Sequence, residues 1–361
     1  MAPKVFIVGG TGAQGIPVIK GLVQDGAYSA RVLTRDLNSA RARSLTQLGD
    51  VELVEGTFAS DTDLRKGLKG CDYAFVNIDG FNAGEKTEMF WAIRAYELAI
   101  EEGIKFFVYG NLDYIYKKSN YNPIFRTGHY DGKGRIGEWI LQQTKDNGKR
   151  MGAALFTTGP YIEMALGGRT PMSPVVESDV VTWRVPLGDG AVAHVALEDC
   201  EHYVRWLLDH QAEANGMDLE VAIEHVNYHK LAEAFTRVTG KAARYIDTDL
   251  ATYWTSGSLS AGATLPAGYN AGKEDPATMN MRDNFTGFWN IWKYSGGNKG
   301  VLKRDYALLD KIHPNRIKSA EEWFRREEEK RRIAGLPSLY ESALDLKPVI
   351  KVAEDNRRGK I

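Results

Sequence analysis

KVFIVGGTGAQG, residues 4–15, carries four consecutive apolar side chains, Val5 to Val8, straight into glycines at 9, 12 and 15. An amphipathic pattern from Ile16 to Asp25 follows at once. That order predicts a short buried strand, a tight turn and the N-terminus of a helix. Gly9 would permit the turn, Gly12 would let the backbone approach a pyrophosphate, and Gly15 would allow close helix–strand packing. Thr11, Ala13 and Gln14 share the loop, where unpaired helix N–H groups and a partial positive charge would face the phosphates. A glycine loop can also be a mere structural turn. Its place behind a strand, before a helix and at the head of further βα units favours a dinucleotide site.

The same alternation fills the first 160 residues. Strand patterns fall at Ala30–Thr34, Val51–Val54, Tyr73–Ile78, Lys105–Tyr109 and Ala153–Thr157. Helix patterns fall at Ser39–Leu48, Asp61–Leu68, Thr87–Glu102 and Gly134–Gln143. This is the signature of an α/β, doubly wound parallel sheet covered on both faces, with its ligand crevice at the carboxyl ends of the strands. Beyond Gly159-Pro160 the regularity fades. Short strands near 180–185, 193–197 and 219–224 alternate with helices at Asp199–Asp209 and Tyr228–Val238. The expected division is a nucleotide-binding domain over 1–160 and a smaller α+β substrate or partner domain over 161–361, some segments of which return to the first sheet. Residues 255–280 read as a loop or lid. Phe285, Phe288, Trp289, Trp292 and Tyr294 read as buried packing rather than a ligand platform. Ser319–Arg332 reads as a charged, solvated helix opened by a capping box of Ser319 and Glu322.

Composition bounds the function. The 361 residues, 43% hydrophobic and 26% charged, suit a globular protein with a sizeable core. A net charge of −1 gives no reason to expect nucleic acid or an anionic membrane as a direct partner. Cys71 and Cys200 are too few for a disulfide framework or thiolate cluster and fit a reducing compartment. No apolar run approaches a membrane span, and the first strand leaves no room for a signal peptide. A cytoplasmic location is expected, with the nucleus open as well. His225 and His229 stand four apart, but no carboxylate completes a zinc set, so no metal is expected.

The residues after the second strand bear on the cofactor. An acidic side chain there would bond a free ribose 2′-hydroxyl, whereas this chain has Thr34-Arg35. The Arg35 guanidinium suits a 2′-phosphate and can stack on adenine, which favours NADP(H), although Asp36 follows it. Phe58 is placed to pack near adenine, and Asn77 to line the pyrophosphate or nicotinamide ribose.

Several segments together resemble the NmrA-like proteins, atypical members of the extended short-chain dehydrogenase/reductase superfamily. They are Gly9-Gly10-Thr11-Gly12-Ala13-Gln14-Gly15, Arg35, His129-Tyr130-Asp131-Gly132-Lys133 leading to Glu138-Trp139, and Gly159-Pro160-Tyr161-Ile162-Glu163-Met164. The tail resembles fungal members with a C-terminal extension, through Asn284-Phe285 to Trp289 and Trp292, Arg304-Asp305-Tyr306 and Leu309-Asp310-Lys311-Ile312-His313-Pro314. The resemblance covers most of the chain. It implies a Rossmann domain binding NADP(H), with a smaller domain closing over the nicotinamide, but no single activity. Some relatives sense the cofactor's redox state; others reduce carbonyls, imines or activated double bonds of secondary metabolites.

In the wider superfamily, serine, tyrosine and lysine do the chemistry, the last two at i and i+4. Here Lys133 stands where that lysine belongs, His129 replaces the tyrosine, and Asn111 stands near the serine position. Lys133 is expected to hold the ribose. His129 is a candidate acid, if the helix begins early enough to give both residues one face, and Asn111 a candidate donor to an oxyanion. Packing alone remains the competing role for His129. Tyr109, Tyr114, Tyr116, Tyr121 and Tyr130 cluster nearby as possible substitutes for the lost acid. Tyr161 and Glu163 should approach the nicotinamide end, with Pro160 also at the cofactor, and Glu163 or Asp113 could stabilise or deprotonate an iminium. Three functions stay open: a reductase of a carbonyl or imine in a small metabolite, a non-redox catalyst of iminium condensation or cyclisation that keeps NADP(H) as scaffold, and an NADP(H)-sensing regulator. The many C-terminal aromatics favour an enzyme. Only the sensor requires a protein partner, and a homodimer is left open.

Overall fold

The computed structural model describes residues 2–147, 150–268, 271–272 and 274–351. The alternating pattern becomes β1 (Lys4–Val8), β2 (Ser29–Thr34), β3 (Val51–Glu55), β4 (Tyr73–Val76), β5 (Phe106–Leu112) and β6 (Gly152–Thr158). With a strand at Asp218–Glu220 they form one seven-stranded sheet, in the order Asp218–Glu220, β6, β5, β4, β1, β2, β3. Every pairing is parallel, with Val5 opposite Ala30 on one side and Tyr73 on the other.

Val5, Phe6 and Ile7 are fully buried because helices cover both faces of the sheet. Val5 and Ile7 join Val18, Leu22, Val204 and Leu207, from the helices Gly15–Val23 and Cys200–Asp209. Phe6 and Val8 join Leu64, Ala92, Tyr96 and Ile140, from the helices Asp61–Leu68, Glu85–Glu101 and Gly128–Asn147. The chain builds outward through β2 and β3, then returns to lay β4 beside β1. That reversal is the switch point at which a doubly wound sheet opens a crevice.

Past β6 the pairing is local. Val192–His194 pairs antiparallel with Glu224–Val226, while Ala243–Asp247, Val180–Val185 and Val175–Glu177 form a three-stranded sheet. The apolar run expected as one strand near 219–224 is therefore split between the main sheet's edge and a small ribbon. A separate core gathers Trp183, Phe235, Trp289 and Trp292. Tyr294 departs from its expected burial: it ends the Met281–Lys293 helix, 54% exposed, with its ring edge-on to Phe125. The capping box at Ser319 is half formed. Ser319 accepts from the Glu322 N–H at 3.1 Å, but the Glu322 carboxylate accepts from Lys318 N–H. A complete box instead opens Leu339–Leu344 through Ser338 and Glu341.

Asp113, a candidate acid or base from sequence, is instead the tail's anchor. Its carboxylate is fully buried and accepts a bidentate pair from Arg304 at 2.7 and 3.1 Å and a third bond from Lys118 at 2.6 Å. Burial opposes its charge, yet Arg304 and Lys118 outweigh that and hold the carboxyl well below the usual carboxylate range. Asp113→Ala would leave the fully buried Arg304 guanidinium without its bidentate partner. A loss of about 3–5 kcal/mol is expected, measured as a lowered urea midpoint against wild type.

Candidate active site

At the carboxyl ends of the strands lies a cavity of about 360 Å³. Gly9, Thr11, Gly12, Ala13, Gln14, Gly15, Thr34, Arg35, Phe58, Asn77, Lys133, Pro160 and Tyr161 all line it, as do Asn111 and His129. Asp113 and Glu163 do not belong to its wall.

The turn after β1 is built as its glycines require. Gly9 has φ +84°, and a Cβ there would lie 2.3 Å from the Asn77 carbonyl oxygen. A Cβ on Gly15 would lie 2.2 Å from the Gly9 oxygen, so no larger residue lets this helix start so close to the strand. At Gly12 an added Cβ would meet only the Gly9 oxygen, at 3.2 Å. The helix Gly15–Val23 has no acidic residue in its first turn and no side-chain cap. Gln14 is turned away, accepting from Asn77 Nδ2 at 2.7 Å and reaching Thr158. The result is a helix N-terminus suited to an anion. Arg35 lies in the wall, whereas the Asp36 carboxylate accepts from Asn38 N–H at 2.8 Å within its own turn.

The helix Gly128–Asn147 begins six residues before the expected start at Gly134, which puts His129 and Lys133 on one face. Lys133 is anchored in the floor. Its Nζ donates to Asn77 Oδ1 at 3.1 Å, Ile78 O at 2.9 Å and Gly110 O at 3.1 Å, and lies 2.8 Å from Glu88 Oε1. Glu88 is fully buried, and burial raises its pKa against the pull of Lys133. Gly80 makes room for it: a Cβ there would fall 2.3 Å from Glu88 Oε2. Glu88 escaped the sequence reading, yet a signal was present, a carboxylate in line with Ala92, Ala95 and Ala99 on the helix's apolar stripe.

His129 sits among Phe81, Tyr130, Phe285 and Phe288, with ring centroids 4.7–6.2 Å away. Asn284 Oδ1 accepts from its main-chain N–H and faces Nδ1 at 3.0 Å. An amide oxygen only accepts, so the ring proton resides on Nδ1 and Nε2 is left as an acceptor. Burial pushes the imidazole down to about 4. The expected acid is thus neutral at physiological pH, and its second nitrogen carries no proton.

The other candidates are also committed. Asn111 Nδ2 donates to Thr157 Oγ1 at 2.9 Å, and the Thr157 hydroxyl donates to Asp218, so the amide faces its own strand pair rather than an oxyanion. Glu163 accepts from Leu197 N–H at 3.0 Å beneath the wall, and burial pushes it up to about 8. Of the clustered tyrosines, Tyr130 reaches the wall, with its pKa raised by burial. The Tyr109 ring lies under Lys133, and Tyr114 accepts from Arg135. Phe285 and Phe288 serve both readings of the aromatic block, being buried and also part of the wall. His225 is engaged at both nitrogens, by Tyr306 and Leu302 O. Among the described residues no helix is long and apolar enough to cross a membrane.

Comparison with known proteins agrees with this geometry. The model of the NmrA-like family matches residues 1–256. An NmrA-like family domain-containing protein of Dictyostelium discoideum is 25% identical over 272 residues, covering 73% of this chain and 87% of that one. The NmrA-like family domain-containing oxidoreductase ptmS of Penicillium ochrochloron is 28% identical over 258 residues, covering 67% and 74%. Among solved structures, the negative transcriptional regulator NmrA in complex with NADP superposes with TM-score 0.67 at 14% identity, over 94% of this chain and 99% of that one. The Escherichia coli quinone oxidoreductase QOR2 with NADPH gives 0.64 at 20% identity, over 89% and 98%. These likenesses establish the Rossmann-type fold.

His129, His194 and His225 are each held near 4 by burial, below an unfolded value of about 6.5. The unfolded chain therefore binds more protons between those values, and their contribution to stability is lost as pH falls from about 6.5 to 4. Ring NMR signals of His129 are expected to stay fixed from pH 8 to pH 5.5, and the urea midpoint to fall between pH 6.5 and 4.

Proposed function

Because the chain belongs to the NmrA-like family, we propose that it is an NADP(H)-dependent reductase of a carbonyl or imine group in a small, largely apolar metabolite. The observation that carries this reading is the continuity of one cavity from the glycine loop to a wall of Phe81, His129, Phe285 and Phe288. A regulator needs the first half of that cavity; an aromatic pocket at its far end is what a flat substrate needs.

The residues fit the cofactor. Gly12 keeps the loop free of a side chain, and the uncapped Gly15–Val23 helix offers N–H groups to a pyrophosphate. Arg35 suits a 2′-phosphate, with Asp36 held in its own turn. Phe58 would flank the adenine, and Asn77, Lys133, Pro160 and Tyr161 the nicotinamide ribose. NADPH supplies a hydride when bound. What this chain contributes is binding, orientation and an apolar surround. Neither His129 nor Asn111 is a poised proton donor, so the proton for the reduced oxygen or nitrogen comes from water in the open cleft. Such a site favours a quinone-type acceptor, whose hydride adduct is an aromatic phenolate that spreads its charge, over a simple ketone or imine, whose adduct holds the charge on one atom. The iminium chemistry assigned to Asp113 or Glu163 loses its support, since both lie outside the wall.

The same scarcity of acids favours a second reading, an NADP(H) sensor with no turnover. Calorimetry and NADPH absorbance separate the two. Wild type is expected to bind NADPH more tightly than NADH and to consume it in the presence of an aryl ketone, quinone or aryl imine. Arg35→Ala is expected to weaken NADPH about tenfold while leaving NADH unchanged, the cost of one charge-assisted contact. Binding without consumption of NADPH with any such acceptor selects the sensor; no binding of either oxidation state refutes both.

A further inference from the structure

One cation in the cavity wall has no role in cofactor binding as described. Arg169 follows the short helical turn Ile162–Leu166 and lines the same cavity as Phe285 and Phe288. Its side chain is exposed and makes no hydrogen bond or ion pair among the described residues. The other charged groups of the wall are occupied. Lys133 has Glu88, Asp79 accepts from the N–H groups of Phe81 and Asn82, and Arg35 serves the adenosine end. Lys351 also has an interaction of its own.

Arg169 is not on a loose loop. Its backbone is left-handed, φ +60°, a conformation a non-glycine residue keeps only when its surroundings impose it. On one side, Gly168 N–H donates to Lys347 O at 2.8 Å, and a Cβ on Gly167 would come within 2.5 Å of Val349. On the other side, the Thr170 hydroxyl donates to Met164 O at 2.8 Å, and the Pro171 carbonyl accepts from Tyr253 at 2.9 Å. A fixed main chain thus carries an exposed five-donor planar fork to the cavity, whose wall also includes Met164, Leu259 and Met281.

We infer that Arg169 recognises a carboxylate on the substrate, so that the molecule reduced here is an aromatic or otherwise flat acid rather than an amine. This rests on reading the cavity as a substrate site. The fork matches a carboxylate bidentately, and a guanidinium is less strongly hydrated than an ammonium, so little is lost in taking up an organic acid. A cationic substrate would meet repulsion at the same place.

The test is calorimetry of the full chain, free and saturated with NADP⁺, titrated with 2-naphthoate and with its neutral counterpart 2-naphthamide. Wild type is expected to bind the acid at least tenfold more tightly. Arg169→Ala and Arg169→Gln should both erase that preference, Arg169→Lys should restore part of it, and the affinity for NADP⁺ should stay within twofold throughout. Equal binding of the two probes, binding of neither, or a preference that survives Arg169→Ala overturns the inference. So does a large loss of NADP⁺ affinity in that variant, which would place Arg169 on the cofactor. Wild type that ignores NADP⁺ yet keeps an Arg169-dependent preference for the acid would refute the cofactor reading and leave this one standing.

Discussion

The first helix can aim its N-terminus into the crevice only because Gly15 rests against the carbonyl of Gly9, at a separation that no Cβ permits. That contact brings the helix down onto β1, and β1 lies between β2 and β4, at the place where the sheet reverses its direction of growth. Strand ends, helix N-terminus and switch point therefore coincide. The loops after β2, β4 and β6 and the end of β5 then deliver Arg35, Asn77, Tyr161 and Asn111 to one cavity without any of them being near another in sequence. A larger residue at 15 would lift the helix and misdirect its N–H groups, whatever the rest of the wall contained.

Much of the charge around that wall is taken up in buried pairs. Asp113 with Arg304, and Glu88 with Lys133, are buried pairs; Arg304 and Lys118 hold Asp113 charged, whereas Glu88 faces Lys133 and burial raises its pKa. The first pair fastens the C-terminal segment to the end of β5. The second fixes Lys133 among oxygens of the Asn77, Ile78 and Gly110 positions. Their chemical effect is restrictive, because carboxylates spent on structure are unavailable to substrate. His129 is withdrawn in another way, deprotonated by its aromatic surroundings and oriented by Asn284. What lines the cavity is a glycine loop, an aromatic wall and a few charged side chains.

The parallel sheet was legible because β1 is buried on both faces, which forces an unbroken apolar run, and because each helix must repeat its apolar stripe every turn. The residues lining the cavity were legible for a related reason: most of them follow strand ends, whose positions the sheet dictates. The catalytic candidates were not. Spacing brought His129 and Lys133 together correctly, but it carried no information about Asn284, 155 residues away, which sets the imidazole's tautomer. Asp113 and Glu163 had the right residue type in the right segment, and only packing assigned one to Arg304 and the other to Leu197.

The chain's local pattern alone determined the strand–turn–helix unit, the doubly wound sheet and the mouth of the cleft, because turn geometry and apolar periodicity are properties of neighbouring residues. Tertiary structure alone decided which polar side chains still face the ligand. Protonation, tautomer and charge depend on burial and on partners brought from distant segments, and those distances are set by how the layers close.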